Sequence, residues 1–339
     1  MKILVVKRDK IGDLLLTTPL IAQLSRALPG AHVHVLANDY NAWVVTGNPD
    51  VERVWTYTRT RHAGRMRIGA ALGQLRQFIA LRRERFDVAI AAGGDESPRA
   101  IRRALAVGAA RTIAYAADPG RYGRRLTDPL PPPTAGHEVV RMLGQSAPLS
   151  IALPATSPLP RFATPPAWRD AAAAWLASVG FAPGRYVVIG LGARETEKQP
   201  TVDQVLRWAA RLERDRGLTT ALQFTPGDAG NRLYPGSEAL AREVAARAGP
   251  SLQLIPEGLP LAVGVVDLAR TSLLPDGGLM HIASMSAGGV VGLFARPTAL
   301  ASPERWGPQG PRAIVLCAPR AVADLDDATV FATLAERLL

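Results

Sequence analysis

Three short polar runs in this chain of 339 residues combine residue types that could do chemistry. The first is Arg8-Asp9-Lys10-Ile11-Gly12-Asp13, followed by Thr17-Thr18-Pro19. A glycine directly before a carboxylate, at a strand-to-helix turn, puts Asp13 near a helix N-terminus, where the helix dipole favours a negative charge. An ionised carboxylate facing a ligand is a candidate general base. The same residue would serve equally as a helix-start residue complementing the dipole. The second run, Asp276-Gly277-Gly278-Leu279-Met280-His281-Ile282-Ala283, follows the apolar stretch Thr271 to Leu274. Two glycines between a strand and a helix let backbone N–H groups approach phosphate oxygens. His281, one turn in, could add a donor or be a structural histidine. The third run, Gly192-Ala193-Arg194-Glu195-Thr196-Glu197-Lys198-Gln199-Pro200, follows Tyr186 to Gly190. There Lys198 could neutralise a leaving phosphate as a compact point charge, or be an exposed loop lysine.

Other chemistries find less support. No Gly-Lys-Ser/Thr P-loop, GxGxxG fingerprint, HExxH or G-x-S-x-G elbow occurs. His32 and His34 alternate along a strand with no carboxylate beside them in sequence. Asp324-Leu325-Asp326-Asp327 precedes the last helical stretch, where acidic residues suit a helix start. No metal is expected. The single Cys317 excludes an internal disulfide or a thiolate metal cluster and fits a reducing compartment.

The elements that must position these runs are short aliphatic strands alternating with amphipathic helices, the pattern of a parallel sheet covered on both faces. Strands are expected at Ile3–Val6, Val33–Leu36, Val88–Ala91, Thr112–Ala114, Tyr186–Gly190, Thr220–Phe224, Leu252–Ile255, Thr271–Leu274 and Val290–Phe294. One helix is expected over Leu14–Leu28, stopped by Pro29-Gly30, another over His137–Leu143, and a third through Val179 ended by Gly180. Pro-rich stretches at 128–133 and 154–166 mark a boundary. The expected division is 1–155, 166–325 and a final helix, 326–339, packing back on the first domain. Two α/β domains imply a cleft outside the carboxyl ends of their strands.

The chain is 47% apolar and 20% charged, which excludes disorder. Its 40 Lys+Arg against 29 Asp+Glu give +11, pointing to an anionic partner. Much of the excess lies in Arg59, Arg61, Arg65, Arg67, Arg76, Arg82, Arg83 and Arg85. An interfacial helix, an anionic-substrate groove and a solvated face look alike at this level. No apolar run reaches the roughly 20 residues needed to span a bilayer, and Ile3–Val6 is too short for a signal peptide. A soluble or peripheral protein is expected. No nucleic-acid motif accompanies the charge.

In this order, the motifs resemble those of the bacterial heptosyltransferases of glycosyltransferase family 9. The matching residues are Arg8, Ile11-Gly12-Asp13 and Thr17-Thr18-Pro19 at the start, His137-Glu138 and Lys198-Gln199-Pro200 in the middle, and Asp276 through Ala283 near the end. The resemblance implies a GT-B fold, two Rossmann-like domains with parallel sheets facing across a cleft, acceptor on the first and nucleotide-sugar on the second. It implies an inverting, metal-independent transfer from ADP-heptose to a lipopolysaccharide inner-core or related glycan acceptor, with no cofactor, at the cytoplasmic face of the inner membrane. Asp13 would be the base. Lys198, Arg194, Asp228, Asp276, Gly277, Gly278, Leu279 and His281 would serve the donor, and His137, Arg141, Arg59 and Arg61 the acceptor. The sequence departs from the family pattern at Gly277, where Thr or Ser is usual, at Arg194, at Ala287-Gly288-Gly289-Val290, which lacks the usual Pro, and at Ala295-Arg296, which interrupts Phe-Gly-Pro-Thr. These leave open a different nucleotide-sugar, or a non-catalytic GT-B scaffold that binds anionic glycolipid. The oligomeric state is not encoded in these motifs.

Overall fold

Branched aliphatic runs bounded by Gly, Pro or charge form most of the strands, and the helices between most of them return the chain so that successive strands run parallel. The computed structural model describes residues 1–8, 10–58, 61–62, 65–66, 68–228, 230, 235–298 and 301–338. The chain divides between Phe162 and Ala163, inside the second Pro-rich stretch, into two units.

The first unit runs β1 (Lys2–Val6), α1 (Ile11–Leu15), α2 (Thr18–Ala27), β2 (His32–Asn38), β3 (Arg53–Tyr57), β4 (Arg61–His62), β5 (Arg65–Met66), α3 (Ile68–Arg83), β6 (Val88–Ala91), α4 (Pro98–Val107), β7 (Arg111–Tyr115), β8 (Asp128–Leu130) and α5 (Glu138–Leu143). Six strands pair in parallel in the order β3-β2-β1-β6-β7-β8, and β4 and β5 form a small separate pair. Ile3 lies between Val33 and Val88 in register. One face buries Leu4, Val6, Ala89 and Ala91 under Leu81, Ile101 and Ala104 of α3 and α4.

The helix expected over Leu14–Leu28 is two helices, α1 and α2. Pro19 cannot continue α1, because it lacks an N–H, but it fits the first turn of α2. The edge strands β3 and β8 lie outside the expected set, because neither is an aliphatic run. In β3 Arg53, Trp55 and Tyr57 alternate with Val54 and Thr56, and in β8 Pro129 is tolerated because an edge strand has one unpaired side.

The second unit runs α6 (Pro166–Ser178), β9 (Tyr186–Gly190), α7 (Val202–Arg216), β10 (Thr219–Gln223), α8 (Glu238–Arg247), β11 (Leu252–Leu254), α9 (Leu259–Asp267), β12 (Thr271–Pro275), α10 (Gly278–Ala283), β13 (Val290–Phe294), α11 (Pro303–Trp306), β14 (Ala313–Cys317) and α12 (Asp327–Leu338). Its parallel sheet is ordered β11-β10-β9-β12-β13-β14. On one face α6 and α9 approach so closely that a Cβ on Gly264 would lie 2.2 Å from the carbonyl oxygen of Trp168. On the other, the fully buried Trp208 of α7 anchors a core that takes in Val330 and Leu334 of α12. The last helix therefore packs on its own unit, through Val330 and Leu334. The acidic run ahead of it is structural: Asp326 accepts from the Thr329 amide at 2.9 Å, and Asp327 from Trp208 Nε1 at 2.8 Å.

Both sheets thus share the Rossmann strand order, with the chain reversing direction between β1 and β6 in one and between β9 and β12 in the other. This is the two-unit GT-B fold. Among the described residues no helix is long and apolar enough to cross a membrane.

Candidate active site

In parallel sheets, ligands bind at the carboxyl ends of the strands where the order reverses. In the first unit the loops after β1 and β6 meet there. The loop after β1 is pinned from β2 and the turn after it: buried Asn38 donates to the Arg8 carbonyl at 2.7 Å, and buried Asn41 to the Lys10 carbonyl at 3.4 Å. Asp13 is the third residue of α1. Its Oδ2 accepts from the Lys10 amide at 3.1 Å, and its Oδ1 lies 3.9 Å from Nζ of the buried Lys7. One carboxylate oxygen therefore closes the helix start, while the other faces a cation. Thr17 donates to the Asp13 carbonyl at 2.7 Å and ties the α1–α2 junction to this position.

Across the switch point, the loop after β6 is braced by α5. The buried Glu138 accepts from the Gly94 amide at 2.8 Å, and buried Gln145 accepts from the Gly93 amide at 3.1 Å while donating to the Ala91 carbonyl at 3.0 Å. A Cβ at Gly94 would come within 2.2 Å of Glu138 Oε2, so any larger residue would displace this carboxylate from its bond to the Gly94 amide. His137 caps α5, its Nδ1 accepting from the Val139 amide at 3.2 Å. Arg141, expected to face an acceptor, is mostly buried. Its Nε donates to the Gly136 carbonyl at 2.9 Å and a terminal nitrogen lies 3.9 Å from Asp95. Both residues thus act first as braces of the loops at this edge. Burial, aided by the Glu138 charge, pushes the Tyr115 phenol up to about 12, and its O–H donates to the Arg141 carbonyl at 2.5 Å.

In the second unit the loops after β9 and β12 meet at the switch point, joined by an ion pair. Lys198 Nζ lies 2.9 Å from Asp276 Oδ2 and 3.0 Å from Glu195 Oε2. Burial alone would lower the Lys198 ammonium, but the two carboxylates outweigh it and hold it above the usual lysine range. Lys198 is therefore charged at neutral pH, as a phosphate partner must be. Gly277 is extended, and a Cβ there would meet nothing closer than 3.7 Å, so the glycine is not imposed by space. Gly278 and Leu279 open α10, with their amides in its first turn. His281 is buried within α10, and Arg194 is exposed on the loop after β9. Asp228 is exposed in the turn after β10, where it accepts from the Gly230 amide at 2.5 Å. Arg59 lies outside the described residues, and of Arg61 only the backbone, in β4, is described.

The residues missed by sequence reasoning are Lys7, Asn38, Asn41, Glu138 as a brace, and Gln145. A carboxylate also accompanies the histidine pair after all. Glu52, from the turn before β3, pairs with His32 Nδ1 and lies 3.6 Å from His34 Nε2. Trp55 donates to His34 Nδ1 at 3.1 Å, and burial, opposed by Glu52, lowers the His34 pKa. This cluster sits at the amino ends of the strands, away from the switch point. Among the described residues no group of three or more His, Cys, Asp or Glu side chains is placed to hold a metal ion.

No family model and no curated protein sequence matches the chain. Among solved structures it is similar to a glycosyl transferase of family 9 from Veillonella parvula, with TM-score 0.80, 17% identity, and 99% of this chain and 97% of that one covered. It is also similar to the E. coli ADP-heptose lipopolysaccharide heptosyltransferase II, with TM-score 0.75, 18% identity, and 100% and 98% covered. The E. coli heptosyltransferase WaaC with ADP gives TM-score 0.74, 19% identity, and 99% and 100% covered. The chain shares the fold of these three proteins over 99–100% of its length.

Proposed function

We propose that the protein is an inverting glycosyltransferase of the family 9 kind, transferring heptose from ADP-heptose to an anionic bacterial glycolipid of the lipopolysaccharide inner-core type. One observation carries this reading. The two motifs that resemble the family lie at the switch points of their sheets, with Asp13 beside Lys7 in the first unit and Lys198 beside Asp276 in the second.

In the reaction, Asp13 takes the proton of an acceptor hydroxyl as its oxygen attacks the anomeric carbon of the donor. The bond to the diphosphate breaks on the opposite face, and configuration inverts. Lys198 and the amides of Gly278 and Leu279 neutralise the departing ADP, with His281 assisting. Asp276 holds donor hydroxyls, while Arg194 and Asp228 flank the nucleotide. The acceptor's acidic sugars meet the first unit near His137 and Arg141, with Arg59 and Arg61 as further contacts. The reaction as written needs no metal or cofactor, because the charge on Lys198 meets the leaving group. The protein works in the cytoplasm, peripherally at the inner membrane where its acceptor lies. Gly277 supplies no hydroxyl to a phosphate, which favours testing other nucleotides alongside ADP.

The test is Asp13→Asn. Asparagine keeps an oxygen to accept the Lys10 amide, so α1 still closes, but it cannot take a proton. Transfer from ADP-heptose, followed by release of ADP, is expected to fall by at least about a hundredfold with thermal stabilisation by ADP unchanged. Retention of more than about a tenth of kcat removes Asp13 from the role. Stabilisation by UDP or GDP but not ADP replaces the donor.

A further inference from the structure

The ammonium of Lys198 touches two carboxylates at nearly equal distance, Asp276 at 2.9 Å and Glu195 at 3.0 Å. One cation between two anions is a cluster of net charge −1, which would repel the diphosphate that the donor reading brings to it. For Lys198 to meet a phosphate, one carboxylate must give way, and the two are not equally free. Asp276 follows β12 directly, its amide donating to the Leu293 carbonyl at 3.0 Å, and its side chain is 15% exposed. Glu195 is 55% exposed and sits on the loop itself. The backbone turn there does not depend on its side chain, because the Lys198 amide donates to the Glu195 carbonyl at 3.0 Å.

Resting on the donor reading above, we propose that Glu195 is a positioning residue that stands in for the donor's diphosphate. It holds Lys198 aimed at the site while the site is empty and swings to solvent when a phosphate oxygen takes its place. The exchange suits the energetics. A half-exposed ion pair is worth only about 0–1 kcal/mol, small enough to be displaced by a multiply charged ligand yet enough to keep a long side chain from wandering. Glu195 would thus weaken donor affinity slightly in return for a preorganised lysine.

The sign of the effect separates this role from an ordinary support. Glu195→Gln in the full chain is expected to lower the Kd for ADP and for inorganic pyrophosphate about three- to tenfold by titration calorimetry, with a shallower salt dependence. Adenosine, which lacks phosphate, should bind unchanged. Glu197→Gln removes a charge from the same loop without touching Lys198 and should shift ADP binding less than twofold. Unchanged or weaker ADP binding in Glu195→Gln overturns the proposal, as does equal tightening in both variants. The two readings fail separately. Tightened pyrophosphate binding in a protein that transfers no sugar keeps the stand-in and sinks the transferase, whereas unchanged affinity in an active transferase does the reverse.

Discussion

Asp13 divides its two oxygens between a helix start and a cation, and that division explains why sequence spacing left its role open. The helix-start reading describes the bond from the Lys10 amide at 3.1 Å, and the oxygen that faces Lys7 at 3.9 Å is the one the proposed base role would use. Tyr115 shows the same economy at the β6–α5 brace, where its hydroxyl holds the Arg141 carbonyl near the Glu138 carboxylate. Its pKa is raised from 10.0 to about 12, so between these values the folded protein keeps a proton that the unfolded chain releases. The resulting stabilisation is complete below about pH 10 and is lost as pH climbs through 12. Tyr115→Phe is expected to cost about 1 kcal/mol at pH 7 through the lost hydrogen bond. It should also flatten the fall of Tm with pH between 10 and 12 relative to the unmodified protein. Parallel Tm curves across that range would mean that the phenol does not titrate with folding. Asp13, Lys198 and Asp276 were legible because their motifs are contiguous in sequence. Lys7, Asn38 and Glu138 were not, because nothing local says that a charged or polar side chain is buried and which distant backbone it will hold.

The elements were more legible than their ends. Buried strands such as β1 and β9 are mostly aliphatic runs, whereas the edge strands β3 and β8 carry charge or proline and lose that signature; β14, Ala-Ile-Val-Leu-Cys, keeps it and was nevertheless outside the expected set. The break between α1 and α2 falls at Leu16-Thr17, inside a stretch whose apolar spacing reads as one helix, and Thr17-Thr18-Pro19 marks it. The loops between elements set glycine's meaning, and two glycines make opposite predictions. Gly94 approaches the α5 brace so closely that a Cβ would fall 2.2 Å from Glu138 Oε2, a carboxylate that cannot retreat without abandoning the Gly94 amide. Gly94→Ala should therefore destabilise the protein by about 1–3 kcal/mol through overpacking in the loop after β6. Gly277 is extended, and a Cβ added there would find no atom nearer than 3.7 Å, so this position should accept Ser within about 0.5 kcal/mol. Chemical denaturation of both variants checks the contrast, and equal costs would show that the loop after β6 relaxes more freely than its bracing implies.

At the scale of the molecule, the excess of positive charge is not spread evenly. The sixteen residues of α3 contain no acidic side chain, and its exposed surface sets Leu75 and Ile79, 58% and 44% exposed, beside Arg76, Arg82 and Arg83. Its other face, with Phe78 and Leu81, is already committed to the core under β6. Exposed apolar residues flanked by arginines on one helix fit the peripheral membrane contact proposed above, in which the apolar groups would enter the headgroup boundary and the cations would meet anionic lipid. Charge alone gives binding that salt removes, because the Debye length is about 8 Å at physiological ionic strength. Apolar insertion persists in salt. Leu75→Ser with Ile79→Ser is therefore expected to reduce affinity for phosphatidylglycerol-containing vesicles about tenfold and to leave the residual binding fully salt-sensitive. Arg76→Gln with Arg83→Gln should weaken binding mainly at low salt, and neither pair should alter the Kd for ADP, because α3 and the donor loops belong to different units. If the serine variant binds vesicles as tightly as the unmodified protein, α3 is a solvated face and the charge that dominates the composition serves soluble anions instead.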